Sequence, residues 1–156
     1  MIKNPQYLPL DSCFSTRYSI GMEDSIFTKI IKGEIPCLKV YEDEKTLAFL
    51  DIHPIQEGQV VVVPKTQVNF VWDLEDADYI ALMRTVQKVG KRLREIFQTK
   101  KRIGVFIEGL DVNNHAHVVL LPFDTSAEFH GAPSSSEPNH TELAVVAKKL
   151  AFSWRH

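Results

Sequence analysis

The longest periodic stretch runs from Asp73–Asp76 to Phe97, where Ile80, Met83, Val86, Val89, Leu93 and Phe97 recur every three or four residues. On a helix that spacing makes one apolar stripe about five turns long. A shorter stripe, Ile26, Phe27, Ile30 and Ile31, follows the capping pair Asp24-Ser25 and is closed by Gly33. A last one, Leu143, Val146, Ala147 and Leu150, follows Asn139 with Glu142 three residues on, a capping arrangement. Between the helices the pattern changes to short extended runs. Leu38 to Tyr41 and Thr46 to Leu50 flank the acidic turn Glu42-Asp43-Glu44-Lys45 and predict a hairpin. Gln59-Val60-Val61-Val62-Val63-Pro64 predicts a strand buried on both faces. Arg102 to Ile107 is a further strand, and Asn113 to Pro122 the last. Strands arriving in hairpin order with helices outside the run predict an α+β domain with a mostly antiparallel sheet.

The ends of the chain lack this patterning. Residues 1–21 show neither period and predict an N-terminal extension, with the domain starting near Met22 and running to residue 123. From Phe123 to Pro138 a Ser-, Pro- and Gly-rich run predicts a long loop, so 124–156 is a C-terminal loop and helix.

Composition adds exclusions. With 156 residues, 44% hydrophobic and 24% charged, the chain fits one ordinary globular domain. A formal charge of -2 gives no global reason for a nucleic-acid or anionic-membrane partner. Arg84, Lys88, Lys91, Arg92, Arg94, Lys100 and Lys101 on and after the long helix are read as a solvated face favoured by the helix dipole. No run approaches the roughly 20 apolar residues of a membrane span, and the N-terminus has no signal-peptide core. The cysteines, Cys13 and Cys37, are too few for a disulfide framework or zinc cluster, and the expectation is a soluble cytoplasmic protein.

Candidate chemistry lies in Asn113-Asn114-His115-Ala116-His117-Val118-Val119-Leu120-Leu121-Pro122. On a strand, residues two apart share a face, so His115 and His117 would stand roughly 6 to 7 Å apart and point the same way. Three readings are open at this stage: two structural imidazoles, two zinc ligands awaiting a third from His53, His130, His140 or Asp51, or a nucleophile with its neighbour. The nucleophilic reading favours phosphorus as target, because phosphoryl transfer depends chiefly on positioning and charge stabilisation.

Four segments together bear on the choice: Ser25-Ile26-Phe27-Thr28-Lys29-Ile30-Ile31-Lys32-Gly33-Glu34-Ile35-Pro36, Ala48-Phe49-Leu50-Asp51-Ile52-His53-Pro54, Gly58-Gln59-Val60-Val61-Val62-Val63-Pro64-Lys65, and His115 to Pro122. In this order and spacing the chain, over about residues 22–123, resembles the histidine triad (HIT) family. The resemblance implies a five-stranded antiparallel sheet with two main helices, continued across a homodimer. It also implies a nucleotide-binding hydrolase or nucleotidyltransferase acting on the α-phosphate of nucleoside phosphoramidates or dinucleoside polyphosphates through a covalent nucleotidyl-histidine. Its partner would be a purine nucleotide or nucleoside monophosphate conjugate, and no metal or other cofactor is implied. By position His117 is the nucleophile and His115 the first triad histidine. Phe27, Ile30, Ile35, Phe49 and Ile52 match the base pocket, and Asp51 matches the acceptor of the ribose hydroxyls. The chain departs from the pattern in four places. Val119 stands where the third histidine falls, Gln59 where Gly-His-Thr is usual, and Ile107 where many members have asparagine, while Asn113-Asn114 carries one extra residue. Asn113, Asn114 and Gln59 are candidate donors to the nucleotide from new positions. The alternative implied by these departures is a nucleotide-binding module with little or no turnover.

Overall fold

The computed structural model describes residues 22–153; the expectations for the N-terminal extension and Cys13 fall outside them. One five-stranded sheet organises the domain, in the order β1-β2-β3-β5-β4, with every neighbouring pair antiparallel. Its strands are β1 (Lys39–Glu42), β2 (Thr46–Leu50), β3 (Val60–Pro64), β4 (Arg102–Phe106) and β5 (Val118–Phe123). The helices are α1 (Ile26–Ile31), α2 (Asp76–Ile96), α3 (Ser126–Phe129) and α4 (His140–Leu150), with a 3₁₀ turn at Val71–Asp73.

Alternation along the strands divides the core in two. Ala48 and Leu50, Val60 and Val62, and Val118 and Leu120 point to the α2 side, where they meet Leu82, Val86, Val89 and Leu93 and, from α4, Ala147 and Leu150. Leu47, Phe49, Val61 and Val63 point the other way, against Phe27 of α1. That explains why β2 and β3 are buried at every position.

The predicted caps form. The Ser25 hydroxyl accepts from Thr28 N–H, and Asn139 accepts from Glu142 N–H. Gly33 sits at φ 79°, the left-handed conformation that ends α1 and that glycine adopts without a Cβ penalty.

Three expectations need correction. The α2 stripe is rotated from the one drawn on Ile80: that residue is 48% exposed, while Leu82 and Thr85 are fully buried. Spacing alone admits both faces, and docking on β3 and β5 selects one. The predicted loop after Phe123 contains α3, a single turn capped by Thr125 and seated by Phe129 against Phe123 and Phe106. The last strand begins at Val118, so both histidines lie in the segment leading into it.

Of the basic residues on and after α2, Arg84, Lys91, Arg94 and Lys101 are exposed as expected, and the other three are used within the domain. Lys88 donates to the Tyr41 hydroxyl, Arg92 donates to the Leu150 and Lys149 carbonyls at the end of α4, and Lys100 pairs with Asp124 and Glu128.

Candidate active site

A row of side chains crosses the sheet in register: Phe49 opposite Val61, Val61 opposite Val119, and Val119 opposite Phe106. All four line a cavity of about 410 Å³ on the α1 side of the sheet. Helix α1 and the segment after it add Ile26, Phe27, Ile30 and Ile35, and the turn after β2 adds Asp51, Ile52 and Ile55. A mostly apolar cleft with a few polar groups at its edge is the usual form of a small-molecule site. The candidates Phe27, Ile30, Ile35, Phe49, Asp51, Ile52 and Gln59 are thus brought together around one space.

Asp51 is set in place at this edge. Its Oδ1 accepts His53 N–H at 2.9 Å and its Oδ2 accepts Gln59 Nε2–H at 2.8 Å, while Gln59 Oε1 accepts Ile55 N–H at 2.9 Å. Each carboxylate oxygen keeps a lone pair for a further donor. Gln59 is 4% exposed, so its position rather than its reach fixes the carboxylate.

The two histidines adjoin the cavity through Phe27. The Phe27 ring meets both edge-on, with centroids 5.7 Å from His115 and 5.2 Å from His117. They are not equivalent. His115 is fully buried and both of its nitrogens are engaged, Nδ1 with Ser25 Oγ at 2.6 Å and Nε2 with the Pro64 carbonyl at 2.8 Å. A carbonyl only accepts, so Nε2 carries the proton and Nδ1 accepts from the serine hydroxyl. Burial lowers the pKa of His115, outweighing the Pro64 hydrogen bond, and the nearby His117 lowers it further. It stays a neutral imidazole.

His117 is oriented by its neighbour. Its Nδ1 lies 2.9 Å from the His115 carbonyl, which again fixes the proton on Nδ1 and leaves the lone pair on Nε2. Among the described residues no fully enclosed side-chain nitrogen or oxygen lacks a partner. Among the described residues Nε2 of His117 has no partner, so it is not fully enclosed, although neither histidine lines the cavity itself. An unprotonated, oriented, reachable imidazole nitrogen is what nucleophilic attack requires.

Other expected residues are placed differently. Asn113 is exposed and Asn114 half-buried, and neither lines the cavity; the loop contributes Glu108, Asp111 and Val112 instead. No lysine or arginine is among the described residues lining it. Cys37 also lines it, and burial pushes its thiol up, which keeps it protonated at neutral pH. His53, His130 and His140 are exposed, and the described residues contain no group of three or more His, Cys, Asp or Glu placed to hold a metal ion.

Sequence reasoning passed over Pro133, which lines the cavity from the C-terminal loop, and the polar group Ser25, Thr28 and Gln67 behind His115. Only Ser25 carried a signal, as a helix cap.

A five-stranded antiparallel sheet of this order, with an apolar cavity on one face and two histidines joined to it through Phe27, defines the class as a HIT-type fold. The HIT domain model matches residues 32–126, and the chain belongs to this family. It is 42% identical over 146 residues to protein hit of Bacillus subtilis, covering 84% of this chain and 97% of that one. It is 35% identical over 114 residues to an adenosine 5'-monophosphoramidase of Schizosaccharomyces pombe, covering 70% and 83%. Among solved structures, a HIT family protein from Bacillus subtilis superposes with a TM-score of 0.64 at 30% identity, over 84% of this chain and 100% of that one.

Proposed function

We propose that the protein is a nucleotide hydrolase or nucleotidyltransferase that binds a purine nucleoside monophosphate conjugate, a phosphoramidate or a dinucleoside polyphosphate, and attacks its α-phosphorus with His117. The observation that carries this reading is the hydrogen bond from His117 Nδ1–H to the His115 carbonyl, which directs the Nε2 lone pair outward. The base would lie against Phe27, Ile30, Ile35, Phe49 and Ile52, and Asp51 would accept from the ribose hydroxyls.

In the first step a bond forms between Nε2 and phosphorus, and the bond to the leaving group breaks. The leaving group departs with the electron pair and is protonated from solvent. Water then attacks phosphorus, the phosphorus–nitrogen bond breaks, the water proton passes to solvent, and Nε2 regains its lone pair. His115 contributes by holding the carbonyl that orients His117. The family relatives named as an adenosine 5'-monophosphoramidase and an adenylylsulfatase support this class of reaction.

Val119 supports a second reading. It occupies the centre of the cavity floor with an isopropyl group, where it offers no donor to a phosphate, so binding without appreciable turnover is the alternative. Incubation with a nucleoside phosphoramidate separates the two. Release of nucleoside monophosphate, lost in His117→Ala, is the expected result; tight binding measured by calorimetry with no release would leave the binding module.

The proposal includes a homodimer. β4 is an edge strand of the sheet, and Val105 and Ile107 on and after it are 45% and 38% exposed, an edge suited to pairing with a second copy. Light scattering in solution tests it, and a monomer at working concentration would remove it.

A further inference from the structure

Behind His115 three polar side chains meet, Ser25 and Thr28 at the start of α1 and Gln67 from far along the chain. Gln67, in the loop after β3, places its Oε1 3.1 Å from Ser25 N and 2.5 Å from Thr28 Oγ1, and its Nε2 donates to the Glu23 carbonyl at 3.0 Å. One amide thus makes three hydrogen bonds, to the cap residue Ser25, to Thr28 in the first turn of α1 and to Glu23 upstream of the cap. Its donor and acceptor ends are fixed by these partners, since a carbonyl can only accept and a backbone N–H only donate.

The remaining protons then have one arrangement. Thr28 Oγ1–H is committed to Gln67, and Thr28 N–H donates to Ser25 Oγ at 2.9 Å. The Ser25 hydroxyl proton is left for His115 Nδ1 at 2.6 Å, closer than the alternative acceptor Thr28 Oγ1 at 3.1 Å. Without Gln67 the threonine hydroxyl is released beside both Ser25 Oγ and His115 Nδ1, the latter 3.3 Å away, and competes for the same lone pair. The same turn of α1 carries Phe27, whose ring touches both imidazoles.

We propose that Gln67 is a positioning residue for the nucleophile: by pinning the first turn of α1 it sets the Ser25 hydroxyl and the Phe27 ring against His115, and so fixes the carbonyl that aims His117 Nε2. This rests on the reading of His117 as nucleophile, but its structural half is measurable without turnover.

Nitrogen-15 NMR of the histidine rings at pH 7 is the test, alongside phosphoramidase kinetics. In the native protein His117 should show one tautomer, protonated at Nδ1. In Gln67→Met, which keeps the size and removes the amide, and in Thr28→Val, the two tautomers of His117 should mix and kcat should fall about tenfold, within the roughly hundredfold that misplacing a reacting group from a distance can cost. Thr28→Ser, which keeps the hydroxyl, should retain the native spectrum and rate. A folded Gln67→Met protein with a single native tautomer of His117 and native kcat would overturn the proposal. If the native protein binds nucleotide but does not turn over, the nucleophile reading fails, while the tautomer comparison still decides whether Gln67 positions His117.

Discussion

Gln59 Nε2–H donates to Asp51 Oδ2 at 2.8 Å, and the two residues bracket the connection from β2 to β3. The carboxylate that meets the ribose in the proposed function is therefore held by a buried amide rather than left to find its own rotamer. Gln59→Leu should weaken nucleoside monophosphate binding about fivefold, the worth of one hydrogen bond near 1 kcal/mol, and narrow the preference for ribose over 2'-deoxyribose. Calorimetry with the paired ribo- and deoxyribonucleotides reads both effects. An unchanged preference would mean that Asp51 does not contact the sugar.

Val119 lies in the floor row between Val61 and Phe106, with 6% of its surface exposed. Val119→His would put a donor at that position. An added donor to the developing phosphate charge should raise kcat at least about tenfold, a cautious fraction of what one oxyanion donor contributes elsewhere. Thermal unfolding should accompany the kinetics, because the imidazole is larger than the side chain it replaces. A folded variant with unaltered kcat would show that the phosphate does not pass over the floor row.

His115 gives the stability a pH dependence. Its folded pKa is lowered by burial, whereas the unfolded chain takes up a proton near the ordinary histidine value of about 6.5. Below that value the unfolded state binds more protons, so stability present at pH 7 and above is lost as pH falls from about 6.5 toward the lower folded pKa. The melting temperature should decline over this range. His115→Gln should flatten the decline, and an equal slope in both proteins would assign it to other groups.

Gly104 of β4 faces Phe129 of α3 so closely that a Cβ would come within 2.2 Å of the ring, and within 2.9 Å of Phe123. Gly104→Ala should therefore cost about 1–3 kcal/mol through overpacking and displace α3. Adding Phe129→Ala should cost less in the Gly104→Ala background than alone, since it relieves the clash. Urea unfolding of the four proteins in the cycle measures the coupling, and additivity would show that α3 moves freely.

Much of this was legible in the order of residues. The caps at Ser25 and Asn139, the breaker at Gly33, the β1–β2 hairpin and the doubly buried β3 follow from short-range rules, because the interactions that make them span four residues or fewer, or repeat at a fixed period. That Phe27, Ile30, Ile35, Phe49, Asp51, Ile52 and Gln59 share one cavity was legible through the four motifs that resemble the HIT family. The error on Ile80 has a simple cause: an apolar side chain near the edge of a helical stripe is assigned inside or outside by the surface it docks on. Likewise α3 depends on three aromatic rings that meet only when β4, β5 and the following loop are folded together.

The same division runs through the site. By itself the sequence determined the fold class and the family, since these reside in periodicity and in motifs whose order is the information. Only the tertiary structure decided that His115 is buried and engaged at both nitrogens while His117 keeps Nε2 open, and that Asn113 and Asn114 stay outside the cavity. It alone brought Gln67 to Ser25, 42 residues away in sequence, and Ser25 to His115, 90 residues away. Hydrogen bonds of that span leave no periodic trace, because their geometry is set by how α1 docks beside the sheet and not by any local preference of the residues that form them.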